Sequence, residues 1–328
     1  MNILVLTGGL SPERDVSFVS ASMIAKALIR KKHNVCVMDL CENILNIESE
    51  LKFTNSLSEI DNYIITENAT NINKNAKQEI GNNVIECCKK ADLVFLALHG
   101  DIGENGKLQA LLELNNIKHT GSSYKGCMIA MDKNVSKLIA KQNGVDTADW
   151  NINCNDSIGY PCIVKPSNGG SSIGVTIVNN EKEFEDSMKL AKELDDTILV
   201  EELLKGREFS VGILDNKSLP AIEIKPKQGF YDYKNKYQPG LTVEECPANI
   251  SPELENTLQE TAIKMHKLLC LNYYSRIDFI VDENNKPFFL EANALPGMTS
   301  TSLLPQEANV AKIDYDTLCE KIVLNQHI

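Results

Sequence analysis

The stretch that decides the fold is RIDFIVDENNKPFFLEAN, residues 276–293. It contains two apolar runs separated by Asn284-Asn285, and asparagine tolerates the positive φ angles of a tight two-residue hairpin turn. The sequence therefore predicts a β-hairpin with its turn at these asparagines. Because alternate residues of a strand share a face, such a turn sets two polar pairs opposite each other on one face. The pairs are Asp278 with Glu291, and Arg276 with Asn293.

Two carboxylates that face each other across a hairpin destabilise it unless something neutralises their charge. A divalent cation does so, and two carboxylates with an amide oxygen suit Mg²⁺ bound together with substrate phosphates. The hairpin therefore predicts a metal site formed by Asp278, Glu291 and Asn293. An ordinary solvated polar face is the alternative interpretation of the same pattern.

Length and composition narrow the class of protein. A chain of 328 residues is expected to form two or three domains. The net charge of −12 argues against a nucleic acid or an anionic membrane as a partner. No apolar run reaches the length of a membrane span, and residues 1–9 predict a first β-strand and turn, not a signal peptide. The ten cysteines form no CxxC pair, which predicts reduced thiols in a cytoplasmic protein.

The N-terminal third alternates between strand and helix patterns, which predicts a parallel sheet in an α/β domain. The predicted elements are the strand Asn2–Thr7, the helix Val16–Lys31, the strand Asn34–Asp39, the helix Asn83–Lys90 and the strand Asp92–Leu98. Residues 41–83 are interpreted as an elaborated connection.

Two further sections begin near Ser122 and Lys205. Their predicted helices are Lys125–Asn143, Glu181–Glu193 and Pro252–Leu269, and their predicted strands are Tyr160–Pro166, Val175–Val178, Thr197–Glu202, Glu208–Leu214 and Ala221–Lys225. The loop from Pro226 to Glu245 contains three tyrosines within Gly229–Tyr237, which favours a functional lid over plain disorder.

Three loops contain candidate functional residues. In Lys165–Gly174, KPSNGGSSIG, glycines allow backbone N–H groups to approach a phosphate and Lys165 adds a positive charge. A flexible turn explains the same residues equally well. His99 follows an apolar strand, where ligands of open α/β sheets bind, although a structural histidine is the default interpretation. In Gly8–Arg14, the sequence Ser11-Pro12-Glu13 favours plain helix capping.

These motifs occur in an order that resembles the D-alanine–D-alanine ligase family of the ATP-grasp superfamily. The resemblance covers nearly the whole chain outside residues 41–90. The segments that carry it are Gly8–Arg14, Leu98–Gly106, Met131–Lys133, Lys165–Gly174, Phe230–Tyr237, Arg276–Asp278 and Glu291–Ser300.

The resemblance implies a mixed α/β (α+β ATP-grasp) fold in three domains. These are an N-terminal Rossmann-like parallel-sheet domain at residues 1–121 and two ATP-grasp subdomains at 122–204 and 205–328 that clamp ATP. It implies a cytoplasmic enzyme, a homodimer without nucleic-acid or membrane partners. This enzyme would ligate two D-alanine molecules to D-alanyl-D-alanine through D-alanyl phosphate, for peptidoglycan precursor synthesis.

The resemblance also implies roles for individual residues. Those implied to bind ATP are Lys133, Lys165, Ser171, Ser172, Glu201, Leu203, Leu204, Glu208 and Lys236. Asp278, Glu291 and Asn293 are implied to hold Mg²⁺ or Mn²⁺, as two ions. Those implied to handle the amino acids are Glu13 (ammonium of the first D-alanine), His99 (near the same substrate), Arg276 and Gly297 (oxyanion hole) and Ser302 (carboxylate of the second D-alanine). Tyr237 on the lid is implied to hydrogen-bond Ser171 and through it Glu13.

The implied chemistry needs these residue types. A carboxylate is a poor acyl donor, so ATP converts it to an acyl phosphate, while Mg²⁺ and lysines offset the charge on the transferring phosphoryl group. Donors preorganised around the oxyanion stabilise attack by the second amine, and closed loops exclude water.

The sequence departs from the family pattern at Asn105, at Asn168-Gly169-Gly170 and at Ala294-Leu295. None of these removes a proposed catalytic group. Two alternatives remain: a D-alanine–D-lactate ligase, against which Tyr237 argues, and a non-catalytic ATP-binding module, against which the retained Arg276 and metal ligands argue.

Overall fold

The computed structural model describes residues 1–62, 78–227 and 241–325. The strands in these residues form three sheets. The strands are β1 (Asn2–Thr7), β2 (Asn34–Asp39), β3 (Leu93–Leu96), β4 (Trp150–Ile152), β5 (Cys162–Pro166), β6 (Thr176–Val178), β7 (Ile198–Glu202), β8 (Arg207–Leu214), β9 (Lys217–Ser218), β10 (Ile222–Pro226), β11 (Thr242–Glu245), β12 (Tyr274–Val281) and β13 (Pro287–Asn293).

Helices cover these sheets and connect them. They are α1 (Arg14–Arg30), α2 (Ile47–Glu50), α3 (Val84–Cys88), α4 (Asp101–Glu104), α5 (Lys107–Leu114), α6 (Tyr124–Met131), α7 (Lys133–Gln142), α8 (Glu181–Lys192), α9 (Pro252–Leu268), α10 (Leu303–Val310) and α11 (Tyr315–Leu324), with a 3₁₀ turn at Leu57–Glu59.

The N-terminal strands form a parallel sheet in the order β2-β1-β3, which confirms the α/β prediction for this part of the chain. The predicted elements agree with the observed ones to within a few residues at each end. Parallel strands place their carboxyl ends at one edge, so the segments after β1 and β3 lie side by side. Glu13 and His99 belong to these two segments.

The other two sheets are antiparallel. One has the order β4-β7-β5-β6, and the other has the order β11-β10-β8-β12-β13, with β9 paired to β8. Residues 228–240 of the predicted lid loop, with Lys236 and Tyr237, lie outside the described residues. The predicted end of the loop at Glu245 is wrong, because Thr242–Glu245 form β11 and pair with β10.

The hydrophobic clusters do not follow chain order. Helices α6 and α7 pack against the sheet β11-β10-β8-β12-β13 through Cys127, Ala130 and Ala140. In the chain, however, they directly precede the strands of the sheet β4-β7-β5-β6. The C-terminal helix α11 contributes Leu318 and Ile322 to the core around the parallel sheet. The domain boundaries at residues 121/122 and 204/205 stay a prediction.

The predicted helix Lys125–Asn143 is two helices, so that prediction is wrong. The chain leaves helical geometry at Asp132, whose carboxylate caps α7 by accepting the N–H of Val135 at 3.1 Å. The same carboxylate accepts the hydroxyl of Ser167 at 2.7 Å. An N-cap residue takes an extended conformation, so the cap interrupts the apolar periodicity and places Lys133 at the first helical position.

The hairpin of β12 and β13 pairs Asp278 with Glu291, as predicted, and Arg276 with Asn293. The predicted two-residue turn is wrong: Val281 pairs with Pro287, and a three-residue turn ends at Asn285 with φ of 60°. A bulge at Leu290 supplies the compensating extra residue.

Candidate active site

A cavity of about 210 Å³ lies between the two antiparallel sheets, and we call it the sheet cavity. Most residues implied to bind ATP or metal line it: Lys133, Lys165, Ser172, Glu201, Leu203, Leu204, Glu208, Asp278 and Glu291. The bulge in β13 brings Leu290 into the lining beside Glu291, while Phe289 returns to the core.

A buried carboxylate between two lysines forms one wall of the sheet cavity. Glu201 on β7 lies 2.7 Å from Nζ of Lys165 and 2.7 Å from Nζ of Lys137. Burial alone would raise the pKa of Glu201, but the two ammonium groups outweigh it and hold that pKa below its ordinary value. Burial lowers the pKa of Lys137 to about 8, although the Glu201 carboxylate opposes the shift.

The sequence analysis missed Lys137. It lies one helical turn after Lys133, so both side chains project from the same face of α7. The spacing of these two lysines was the available signal. The spacing indicates a functional role only if this face of α7 turns toward β7. A helical pattern alone does not specify that orientation.

The loop after β5 carries the predicted phosphate-binding segment. Ser171 and Ser172 have φ angles of 51° and 58°, so two non-glycine residues adopt the left-handed conformation in a row. The ammonium of Lys133 donates to the carbonyl oxygen of Gly169 at 2.7 Å and lies 3.3 Å from Glu291. The loop, the first helical residue of α7 and the hairpin therefore meet around Lys133.

The carboxylate of Asp278 accepts four hydrogen bonds. Oδ1 accepts from Ser210 at 2.7 Å and from Nε of Arg276 at 2.9 Å. Oδ2 accepts from Nη2 of Arg276 at 2.8 Å and from Nδ2 of Asn293 at 3.0 Å. Because Nδ2 of Asn293 faces Asp278, the side-chain amide oxygen of Asn293 points away from Asp278. A cation that takes Asp278 as a ligand must displace at least one of these donors.

The hairpin supplies two carboxylates and one amide as candidate metal ligands. Among the described residues, no group of three or more Asp, Glu, His or Cys side chains could hold a metal ion. A site for Mg²⁺ does not require such a group when phosphate oxygens and water complete the coordination. The residues present therefore fit an ion that arrives with a nucleotide.

A second cavity of about 70 Å³ lies beside the first, and we call it the loop cavity. The residues implied to handle the amino acids line it: Glu13, His99, Ser171, Arg276, Gly297 and Ser302. Gly170 lines both cavities, so they adjoin at the loop after β5.

Glu13 and Ser171 join distant parts of the chain. The hydroxyl of Ser171 donates to Oε1 of Glu13 in a buried contact. The helix α1 begins at Arg14, later than a cap at Ser11 predicts, but Oγ of Ser11 accepts the N–H of Glu13 at 3.1 Å, the bond expected of a cap on the turn that leads into α1. The hydroxyl of Ser11 also donates to the carbonyl oxygen of His99 at 2.5 Å. This bond ties the segment after β1 to the segment after β3.

The imidazole of His99 is buried between α1 and α4. Its Nε2 lies 3.1 Å from Oγ of Ser20, and its Nδ1 lies 3.7 Å from Oε1 of Glu104. Glu104 also lines the loop cavity. Glu104 lies within Leu98–Gly106, a segment that carries the family resemblance, but no role was predicted for it.

The segment from Gly297 to Ser302 is a tight turn closed by its own side chains. Oγ of Ser302 accepts the N–H of Thr299 at 2.9 Å, and the N–H of Ser302 donates to the carbonyl oxygen of Thr299 at 3.1 Å. A side chain at Gly297 would begin 2.7 Å from Oγ of Ser302, too close for any Cβ. Tyr315 on α11 donates to the carbonyl oxygen of Met298 at 2.6 Å.

A buried acid lies beneath the loop cavity. Glu307 on α10 fills the space beside Gly212, which pairs with Arg276. Its Oε1 accepts the N–H of Gly212 at 2.9 Å, and among the described residues its Oε2 has no hydrogen-bond partner. Burial raises the pKa of Glu307 to about 8, against the opposing pull of that N–H and of Arg276.

Two family models match the chain. The model described as "D-ala D-ala ligase N-terminus" matches residues 2–122, and "D-ala D-ala ligase C-terminus" matches residues 132–324. Among curated relatives, the D-alanine–D-alanine ligase of Pediococcus pentosaceus is 41% identical, covering 99% of this chain and 97% of the relative. The enzyme of the same name from Halalkalibacterium halodurans is 36% identical and covers 98% of each chain.

Solved structures agree with these relatives. The crystal structure of D-alanine–D-alanine ligase from Bacillus anthracis complexed with ATP has a TM-score of 0.77 at 30% identity, covering 98% of this chain and 95% of that one. The crystal structure of VanG D-Ala:D-Ser ligase from Enterococcus faecalis has a TM-score of 0.76 at 26% identity and covers 98% of each chain.

Proposed function

The chain belongs to the D-alanine–D-alanine ligase family, and from that premise we propose that it joins two D-alanine molecules in a reaction driven by ATP. The single observation that carries the proposal is the junction of the two cavities. The sheet cavity gathers lysines and facing carboxylates, the loop cavity gathers an acid, an arginine and a closed turn, and Gly170 lines both. A phosphoryl group at this junction is within reach of an amino acid in the loop cavity.

The sheet cavity is the proposed nucleotide site. Lys133 and Lys165 neutralise phosphate charge, and the backbone of Leu203-Leu204 with Glu201 faces the adenine. Glu208 binds the ribose, and Ser171 and Ser172 present backbone N–H groups to the phosphates. Lys236, outside the described residues, is proposed to approach from the lid. Water is excluded when the lid covers these groups, which protects a reactive acyl phosphate.

Asp278, Glu291 and Asn293 are the proposed ligands of Mg²⁺ or Mn²⁺ that enters with ATP, as two ions. Bound there, the metal would offset negative charge on the transferring phosphoryl group. Arg276 now shares its guanidinium with Asp278. When Asp278 turns toward a cation, this guanidinium becomes available to an oxyanion in the loop cavity, which Arg276 lines.

The loop cavity is the proposed amino-acid site. Glu13 holds the ammonium of the first D-alanine, with His99 beside the same substrate. The first carboxylate attacks the γ-phosphorus of ATP and releases ADP, forming D-alanyl phosphate. The amine of the second D-alanine then attacks the acyl carbon and releases phosphate. Arg276 and the N–H of Gly297 stabilise the oxyanion, and Ser302 anchors the second carboxylate.

Several finer features belong to the same proposal. The domain boundaries predicted from the sequence, the homodimer, the cytoplasmic location and the hydrogen bond from Tyr237 to Ser171 are proposed on the family resemblance. Among the described helices, none is both long and apolar enough to cross a bilayer.

The test is product analysis with alternative acceptors. Purified protein is given Mg²⁺–ATP with D-alanine, L-alanine, D-alanine plus D-lactate, or D-alanine plus D-serine, while phosphate release and product mass are followed. We expect phosphate release with D-alanine alone and the mass of D-alanyl-D-alanine. Predominance of the mixed ester or of the D-alanyl-D-serine product would reassign the second substrate. Absence of ATP turnover with every pair would contradict the proposal.

A further inference from the structure

The buried side chain of Lys137 is the strongest feature that the proposed chemistry leaves unexplained. Only 1% of this residue is exposed, yet Lys141, one turn later in the same row of α7, is exposed. Burying a charged ammonium is costly unless it is paired. Its carboxylate partner is Glu201 at 2.7 Å, and Lys165 approaches the other oxygen of the same carboxylate at 2.7 Å.

We propose that Lys137 is a positioning residue for nucleotide binding: it holds Glu201 against Lys165 and gives this buried group a net positive charge. The inference rests on the proposed nucleotide site and adds a residue to it. Lys137 does not line the sheet cavity, whereas Glu201 and Lys165 do. It therefore acts on the nucleotide through them.

The charge of the group explains why two lysines share one acid. Two ammoniums and one carboxylate leave one positive charge beside a site for a triphosphate. With Lys137 uncharged, the charges of Glu201 and Lys165 would cancel, and Lys165, already 2.7 Å from Glu201, would be the one ammonium left in the group to neutralise it. The attraction for phosphate would fall because Coulomb interactions are strong where water is excluded.

The fluorescence of Trp150 can report the charge state of Lys137. The chain has a single tryptophan, and Nζ of Lys137 lies 4.9 Å from the centre of its ring. The indole N–H donates to Asn134 at 2.9 Å, which fixes the ring on α7. An ammonium over an indole face is stabilised by the ring's electrons and perturbs its emission.

The charged groups around Lys137 come from three elements. Glu201 and Glu202 lie on β7 and raise its pKa, whereas Lys165 on β5 lowers it. Nζ of Lys141, on the same helix, lies 5.5 Å from the centre of the same indole ring. With burial added, the balance sets the pKa of Lys137 at about 8, so it is charged below that pH and neutral above it.

The first experiment needs no variant. We expect the KM for ATP of the wild-type protein to rise on the order of tenfold between pH 7 and 9, as Lys137 loses its proton, and the KM for D-alanine to be insensitive to this ionisation. Tryptophan emission of the ligand-free protein should titrate with a midpoint near pH 8. Emission that is flat across this range would overturn the proposal.

The second experiment compares matched variants. Lys137→Met should raise the KM for ATP at pH 7 to the wild-type value at pH 9, remove its pH dependence and abolish the emission midpoint. Lys137→Arg keeps the charge and should keep the KM low through pH 9. The control is Lys141→Met, which removes the exposed lysine beside the same indole and should keep the wild-type KM for ATP, its pH dependence and the emission midpoint, whatever the emission intensity.

The outcomes separate this inference from the proposed function. If ATP does not bind in the sheet cavity, Lys165→Met will leave the KM for ATP unchanged. If the cavity is the nucleotide site but Lys137 only fills space, Lys165→Met will raise that KM while Lys137→Met leaves it at the wild-type value. That second pattern would overturn the role of Lys137 alone.

Discussion

The sheet cavity and the loop cavity adjoin at Gly170 but differ in construction. In the sheet cavity, charged side chains extend from strands and from the first turns of α7, and buried ion pairs such as Glu201 with Lys165 hold them. In the loop cavity, most functional groups lie in segments after strands. Single hydrogen bonds, such as that between Glu13 and Ser171, bring them together over 158 positions of sequence.

Because of this difference, we expect the two cavities to respond differently to amino-acid substitutions. A strand ladder fixes side-chain direction through many backbone bonds, so one substitution in the sheet cavity changes charge without moving the scaffold. A pocket formed by loops depends on a few side-chain contacts, so one lost bond can displace a neighbour. Changes in the sheet cavity should therefore act on turnover and ATP, and changes in the loop cavity should act on amino-acid binding.

The largest expected effect is at Glu291. Glu291→Gln replaces a charged metal ligand with a neutral one, and we expect turnover to fall by about a hundredfold or more, the scale of losing strong electrostatic stabilisation. Folding should survive because the change relieves repulsion from Asp278. Steady-state kinetics at saturating substrates measure the loss. The matched control is Glu283→Gln, an exposed acid of the same hairpin; near-normal turnover of Glu291→Gln would remove Glu291 from the metal site.

The next expected effect is on the pH dependence of folding stability, which should differ in sign between Glu307 and Lys137. Glu307 binds its proton more tightly when folded, with a pKa of about 8 against 4.5, so its stabilisation is complete below pH 4.5 and is lost as pH rises through 8. Between roughly pH 6 and 8 this loss is about 2 kcal/mol. Glu307→Gln resembles the protonated acid and should remove that loss.

The ionisation of Lys137 changes folding stability with pH in the opposite direction. Its folded pKa is lowered to about 8 from 10.5, so the unfolded chain binds more protons in that window and stability rises with pH between those values. Urea unfolding of the wild type, Glu307→Gln and Lys137→Met at intervals from pH 6 to 10 measures both slopes. Identical slopes for all three would contradict both assignments.

A smaller effect is expected at Glu13. Glu13→Gln keeps an acceptor for Ser171 but removes the charge that holds an ammonium. Hydrogen bonds to charged groups contribute about 1.5–3 kcal/mol, so the KM for D-alanine should rise about tenfold or more while the KM for ATP stays constant. A parallel Ser171→Ala variant shows how much of the effect passes through their shared bond. Equal changes in both KM values would mean that the two cavities do not act separately.

The smallest effect is expected at Tyr315. Tyr315→Phe removes the hydroxyl that donates to the carbonyl oxygen of Met298, beside the proposed oxyanion donor Gly297. One neutral hydrogen bond contributes about 1 kcal/mol, so turnover should fall a few-fold with unchanged ATP affinity. Tyr124→Phe, on an exposed ring, serves as control. A larger loss for ATP binding than for turnover would place Tyr315 outside the loop cavity's support.

The sequence by itself determined the pairing of Asp278 with Glu291, the parallel N-terminal sheet and the family. Local patterns carry these because strand alternation and motif order are properties of consecutive residues. The hairpin pairing was right although the predicted turn was wrong, since the longer turn and the bulge at Leu290 offset each other. A bulge depends on how the strand packs, so no local signal announces it.

Only the tertiary structure decided which distant groups meet. Ser11, predicted only to cap a helix, also bonds to His99, and Lys137, for which no role was predicted, lies against Glu201. Glu307 is buried because Gly212, far away in the chain, leaves room for its carboxylate. Burial, ion pairing and pKa depend on neighbours brought by folding from other elements. A residue's own segment does not contain that information.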